Sequence, residues 1–400
     1  MIALLFLGFS AGLPFLLVFS TLNARLADVG VETATIGFFS WLGITYSIKV
    51  FWAPVVDRLK LPLLDRLLGK RRSWIIFAQA GIATGLYLMA HVDATAAPEM
   101  MALCGLLVAF SSATQDVAID AYRIEIAEER LQAALAATYI FGYRLALLVA
   151  GAGALYLAEF WSWQVSYEVM AALVGVGALT VLIVREPSVN HFAAAQDIAH
   201  KIEHEAAKLT HLNPRLARLV GWFYAAVAGP FLDFFRRYKE LALVILLMVA
   251  VYRISDIAMG VMANPFYLDF MGFSKTQVAD VTKIFGFFMT IAGSLVGGVM
   301  VVRYGVRRIL LLGAIMTAAT NLLFVVLAQY PPNIVTLAAV VSADNLSGGI
   351  ANVALIAWLS SMTSASFTAT QYALFSSLMT LPGKFLGGFS GIVVAGFGYA

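Results

Sequence analysis

Apolar residues run almost unbroken along this chain, broken at intervals by short polar turns and once by a long polar stretch. A helix needs about 17 to 25 apolar residues to cross a bilayer. Runs of that length fall at about 1–22, 35–56, 73–91, 99–121, 132–157, 165–184, 241–263, 279–302, 309–328, 334–357 and 369–395. The pattern predicts eleven membrane helices, six before and five after the polar segment 185–240. The first run is too long for a cleavable leader and lacks a basic stretch before it. The organisation predicted is a first half at 1–184, a linker at 185–240 and a second half at 241–400.

Composition agrees. Hydrophobic residues make up 61% and charged residues 12%, where soluble domains carry about a quarter charged. The lone cysteine, Cys104, lies inside an apolar run, which excludes a disulfide framework and a thiolate metal site. The net charge of +3 gains meaning only when mapped. The 57–72 turn holds six Lys and Arg, 122–131 two, 185–240 eight and 303–308 three; the alternate turns hold only Arg25 and Lys275. Basic residues collect on the cytoplasmic side, so the start of the chain and the 185–240 linker are expected there. Within the linker, Leu219 to Phe235 is apolar but flanked by Arg215, Arg218, Arg236, Arg237 and Lys239, the pattern of an amphipathic helix lying in the interface. His200, His204 and His211 fit a solvated helix there, and no metal or other cofactor is assigned.

Candidate chemistry resides in polar residues inside the apolar runs, because ionisable groups at such depth face a cavity, pair with one another, or mark a substrate or proton path. The stretch from Ser111 to Arg123 sets Asp116, Asp120 and Arg123 on one helix face, with Gln115 beside them. At a rise of ~1.5 Å per residue, Arg144, Arg253, Asp256 and Lys384 lie ~18 to 22 Å in, near the middle of the bilayer, and Asp344 and Asn345 reach similar depth. Ser347-Gly348-Gly349 beside them marks a close-packing point or a kink. Arg253 and Asp256 either neutralise each other or share a cavity. Arg144 and Lys384 have no carboxylate on their own helices and need one from elsewhere or an anionic ligand. Lys49 divides between cavity and interface, and Lys283 sits near the rim. Tyr46, Tyr139, Tyr143 and Tyr372 are candidates for stacking on a ligand. Asp116, only ~9 Å from the inner end but deeper than Asp120, is the better candidate for proton exchange, with Asp120, Asp256 and Asp344 as further coupling candidates.

The halves repeat. Ala53-Pro54-Val55-Val56-Asp57-Arg58 and Gly69-Lys70-Arg71-Arg72 follow the second run; Gly297-Gly298 and Arg303-Tyr304-Gly305-Val306-Arg307-Arg308 follow the eighth. This resembles the major facilitator superfamily, whose loop signature is G-x-x-x-D-R-x-G-R-R; the second copy here lacks the Asp. The resemblance implies an all-α integral membrane bundle of two pseudo-symmetric six-helix halves, with eleven spans present and the last missing.

Gly8-Phe9-Ser10-Ala11-Gly12-Leu13-Pro14-Phe15, Lys49-Val50-Phe51-Trp52-Ala53-Pro54, Gln115-Asp116 through Arg123, Gly142-Tyr143-Arg144, Tyr252 through Asp256, Lys283-Ile284-Phe285-Gly286 and Ala369 through Leu378 further resemble the AmpG-type muropeptide permeases. Arg25 departs from that pattern, where an aromatic residue is expected at the outer rim. The resemblance implies a monomeric, proton-coupled permease of the bacterial inner membrane, importing anhydro-muropeptides in cell-wall recycling, with membrane lipid and protons as partners and no nucleic acid. It implies substrate contacts from Arg144, Gln115, Lys49, Tyr143, Arg253, Lys384, Asn345 and Gln371. Gating falls to Asp57, Arg58, Arg71, Arg72, Arg123, Arg303, Arg307 and Arg308, with the end of the fourth span, at Asp120 and Arg123, latching onto the basic turn after the second. Related permeases carry acetyl-CoA, peptides or drugs, which leaves those substrates as alternatives. A membrane transferase would need a catalytic constellation such as a Ser/His/Asp set, which the spans do not hold. A receptor would need a larger cytoplasmic domain.

Overall fold

The computed structural model describes residues 1–39, 41–187, 228–364, 366–387 and 389–398, which are helical with no strand among them. The first run forms α1 (Ile2–Leu17) and α2 (Ser20–Asp28). The second is divided into α3 (Thr33–Phe39), α4 (Leu42–Ser47), a 3-10 turn at Lys49–Phe51 and α5 (Ala53–Arg58). Pro54 opens α5 in its first turn, where its missing N–H costs nothing. The short α6 (Leu64–Leu68) leads into α7 (Lys70–His91) and α8 (Pro98–Glu125). Next come α9 (Gln132–Leu148), α10 (Ala154–Phe160), α11 (Trp163–Leu173) and α12 (Gly175–Ile183). Beyond the linker are α13 (228–238), α14 (Leu241–Val251), α15 (Ile254–Pro265), α16 (Lys275–Val278), α17 (Gly286–Tyr304) and α18 (Val306–Leu327). The chain continues through α19 (Ile334–Met362), α20 (Thr368–Gly387) and α21 (Ser390–Phe397).

Among the described residues, eight helical stretches are long and apolar enough to cross a membrane. The runs expected at 35–56, 241–263 and 369–395 are helical too, but broken. The break in the seventh run falls at its charges: Arg253 immediately precedes α15, and Asp256 occupies that helix's first turn, where the helix dipole favours a carboxylate.

Two compact units divide the chain. The first comprises Met1–Glu128, Gly142–Ala242 and Thr363–Ser377, the second Glu129–Phe141, Leu243–Met362 and Leu378–Ala400. The packing boundary thus runs through α9 and α20.

In the first unit, α1 and α9 cross so closely that a Cβ on Gly142 would lie 1.9 Å from the Leu5 carbonyl oxygen. Leu13, Leu17, Leu86, Val108 and Tyr167 belong to its core. Arg25 is buried here. Its guanidinium donates to the Met89 and Val92 carbonyls at 2.8 and 3.2 Å and lies over the Tyr167 ring, so it closes the end of α7.

The first unit also holds α13. Phe234 packs on Phe375 with ring centroids 5.3 Å apart. The Gln371 amide donates to Pro230 O and Asp233 Oδ2, and its Oε1 accepts from Arg237 and from the Ser364 N–H. This part of the expected interfacial helix is therefore docked on the start of α20. Residues 219–227, and His200, His204 and His211, lie outside the described residues.

In the second unit α19 packs on α17, where a Cβ on Gly349 would meet the Thr290 carbonyl oxygen at 2.6 Å. Since α19 runs 29 residues without a break, the Ser347-Gly348-Gly349 motif is a close-packing point and not a kink.

Candidate functional site

The 3-10 turn of the second run carries Lys49 into the first unit, where it is 8% exposed. Asp116, on the middle of α8, stands within electrostatic reach of that ammonium but beyond ion-pair distance of it. Its Oδ1 is buried with no hydrogen-bond partner, as are the Tyr46 hydroxyl and Ser112 Oγ. The Tyr143 hydroxyl feels both Asp116 and Tyr46, and Arg144 stands next to it. Phe15 joins these groups to an aromatic wall, with ring centroids 5.8 Å from Tyr46 and 6.4 Å from Tyr143; Phe19 lies 5.9 Å from Tyr46. A carboxylate, an ammonium, hydroxyls without partners and ring faces thus share one interior region. Such a region offers hydrogen bonds to a polar guest and a carboxylate whose proton no internal donor replaces.

Gln115, adjacent in sequence, takes no part. Its Nε2 donates to the Ser10 carbonyl at 3.0 Å and its Oε1 accepts from Ser10 Oγ at 3.2 Å. Gln79 extends the same buried network. Gln115 and Gln371 are both fully buried, and their amides are engaged in internal hydrogen bonds.

The basic turn of the first unit forms a second, closed cluster. Arg71, almost fully buried, donates to Asp57 Oδ1 at 2.9 Å and to Glu125 Oε1 at 2.6 Å. Asp57 also accepts from the Ala369 and Thr370 N–H groups and the Thr370 hydroxyl, at 3.2, 2.7 and 2.6 Å. The carboxylate thus caps the first turn of α20. Burial alone would raise the Asp57 carboxyl, but the charges of Arg71 and Lys70 and the Thr370 hydrogen bonds hold it below the usual carboxylate range. Lys70 donates to the Asp57 carbonyl. Arg72 donates to the Val181 and Leu182 carbonyls at 2.7 and 3.0 Å, ending α12. Glu186 accepts from the Arg71 and Arg72 N–H groups; burial nonetheless pushes its carboxyl above the usual range.

Glu125 carries a contact from the end of α8 to the basic turn. Asp120 pairs with Arg123 at 3.4 Å, and the buried Arg123 lies 5.2 Å from the Tyr372 ring. Arg58 lies over Phe367. Sequence reasoning overlooked Glu125, Glu186 and Thr370. Glu125 had a signal: a carboxylate in the last turn of a helix opposes the dipole and calls for a cation.

In the second unit the polar residues are mostly satisfied. Arg253 donates to Asn352 Oδ1 at 2.9 Å and stands 3.8 Å from Asp256. Thr320 donates to Asp344 Oδ1 at 3.2 Å, and Thr290 to Asn345 Oδ1 at 2.7 Å. Thr317 Oγ1 is buried without a partner. Lys384 is exposed, and the Lys283 side chain lies outside the described residues. Arg303, Arg307 and Arg308 are exposed as well.

The Major Facilitator Superfamily model matches residues 1–383. The chain belongs to that superfamily. Its relatives carry the assignment to the AmpG group: a putative transporter AmpG 4 of Rickettsia felis is 31% identical, over 94% of this chain and 85% of the relative. The anhydromuropeptide permease of Escherichia coli K12 is also 31% identical, over 99% of this chain and 74% of that protein. The proton:xylose symporter XylE shares the fold, with a TM-score of 0.68 at 14% identity over 99% of this chain and 90% of the symporter. The protein is thus a multi-pass membrane transporter and not an enzyme.

Proposed function

We propose that this transporter imports anhydro-muropeptides across the bacterial inner membrane by alternating access, with protons driving accumulation. The observation that carries the proposal is the buried polar region of Asp116, Lys49, Tyr46 and Ser112 beside the Phe15 and Phe19 rings, in a chain akin to the E. coli anhydromuropeptide permease. A saccharide offers hydroxyls to the polar atoms and apolar ring faces to the aromatic wall. Its peptide carboxylates suit Lys49 and Arg144. Asp116, lacking an internal donor at Oδ1, serves as the exchanging carboxylate, with Asp256 and Asp344 as secondary candidates.

The halves 1–184 and 241–400 act as the moving bodies, with the start of the chain and the 185–240 linker in the cytoplasm, and a monomer suffices. Asp57, braced by Arg71 and Glu125, holds the closed side through its bonds to Ala369 and Thr370 until substrate biases the change, a two-state contact of the kind ligands switch. The direct test is uptake of labelled anhydro-muropeptide into vesicles with and without an inward proton gradient. Accumulation only under the gradient is expected. Accumulation of acetyl-CoA or of a free peptide in its place would move the substrate to a related branch. Reporters fused after Arg185 and after Lys239 should both read cytoplasmic; opposite sides would place a further span between them.

A further inference from the structure

The two basic turns of the repeat share a register and differ in their partners. Gly69 at φ 86 is followed by Lys70, Arg71 and Arg72, and Gly305 at φ 88 by Val306, Arg307 and Arg308. Both glycines occupy the left-handed region that side chains avoid, and each starts a membrane helix. In the first turn an internal carboxylate sits on the helix N-terminus: Glu186 accepts from the Arg71 and Arg72 N–H groups at 2.7 and 3.1 Å. The guanidinium groups there are taken by Glu125, Asp57 and the end of α12.

The second turn has none of this. Among the described residues, no side chain accepts from the Arg307 or Arg308 N–H groups at the start of α18. Arg303, Arg307 and Arg308 are exposed, and among the described residues none has a carboxylate within ion-pair distance; Arg303 lies over the neighbouring Tyr304 ring. Because α17 and α18 are both long and apolar enough to cross a membrane, the turn joining them lies at the bilayer surface. Val299, Val302 and Leu311 on the flanking helices are exposed apolar residues, and so is Tyr304.

We infer that this turn binds the headgroup of an anionic phospholipid, with its phosphate seated over α18 as the Glu186 carboxylate is seated over α7. Oxygens of the phosphate accept from the Arg307 and Arg308 N–H groups and from the guanidinium forks. The acyl chains follow Val302 and Leu311 into the bilayer. Tyr304 stands at headgroup level, where aromatic residues collect. A free anion would gain nothing from those apolar flanks, which is why the occupant is a lipid and not inorganic phosphate.

The test uses the full chain in detergent, titrated with phosphatidylglycerol or phosphatidylcholine and read by native mass spectrometry. A basic residue near an anionic lipid is worth a factor of roughly five in binding. The wild type should therefore prefer phosphatidylglycerol by about a hundredfold, and Arg303→Gln/Arg307→Gln/Arg308→Gln should keep at most a fewfold preference. The corresponding triple lysine substitution should retain most of it. A triple glutamine variant that binds phosphatidylglycerol like the wild type overturns the inference. So does displacement of the lipid by millimolar inorganic phosphate. Should the glutamine variant fail to fold, a photo-crosslinking phosphatidylglycerol on the wild type decides: adducts within the peptide spanning Val299 to Leu311 support the site, and adducts only elsewhere refute it.

Discussion

The two units are inverses of one another. In the first, Asp116, Tyr46 and Ser112 each hold a buried oxygen without a partner, while the basic turn is sealed by Asp57, Glu125 and Glu186. In the second, Asp344, Asn345 and Arg253 have donors or acceptors within the unit, while the basic turn is bare. Buried polar groups cost free energy unless paired, so an unpaired set persists where function requires it. On the function proposed above, the exchanging carboxylate belongs to the first unit.

The largest effect expected is at Asp116. Asp116→Asn mimics the protonated acid, so accumulation driven by a proton gradient should be abolished, while exchange of labelled for unlabelled substrate, which needs no net proton movement, should survive. Continued uphill uptake in that variant would break the comparison at its centre.

Next comes the sealed turn. Asp57→Asn leaves Arg71 buried beside Glu125 alone, and loss of one partner of a buried pair costs about 3 to 5 kcal/mol. Arg307→Gln in the bare turn should cost under about 0.5 kcal/mol; melting temperatures in one detergent would read both. The pH dependence follows from the depressed Asp57 carboxyl. Its contribution is complete above the unfolded value of about 3.9 and fades only as pH falls through the lower folded value. The melting-temperature difference between wild type and Asp57→Asn should therefore stay constant from neutrality to about pH 4 and shrink below it.

Arg144→Lys keeps the charge but loses the planar fork, and a rise in KM of about tenfold with normal membrane insertion is expected. The smallest effect is at Asp344. Since Thr320 can donate to an amide oxygen as to a carboxylate, Asp344→Asn should leave proton-driven uptake within about threefold of wild type. A loss as complete as that of Asp116→Asn would move the proton site into the second unit.

Hydropathy made the spans legible because length and apolar content are local properties; the runs at 73–91 and 99–121 became α7 and α8 with ends shifted by a few residues. The breaks were not legible, since the one at Arg253 depends on Asp256 favouring a new helix N-terminus and on Asn352 accepting from Arg253 across the unit. Lys49 and Asp116 stand out in the sequence as charges inside apolar runs, but a pattern of local hydropathy does not show that residues so distant in sequence lie within electrostatic reach of each other. Gln115 and Gln371 looked like ligand contacts because a polar group in an apolar run needs a partner. Composition cannot tell whether that partner is a guest or, as here, Ser10 and α13. Arg25 looked like a lapse at the rim and is a cap on α7.

The bonds from Ala369 and Thr370 to Asp57 span 312 and 313 residues of chain. Ribosomes add about 5 to 20 residues per second, so the nascent first unit must wait roughly 15 to 60 seconds in the membrane before its last donors emerge. Throughout that interval Asp57 has Arg71 but no helix to cap, and the unit cannot reach its final packing. Biogenesis of this transporter is therefore late-closing: a chain stopped anywhere before Thr370 leaves its N-terminal half unfinished, a natural point at which membrane quality control can distinguish complete from aborted molecules.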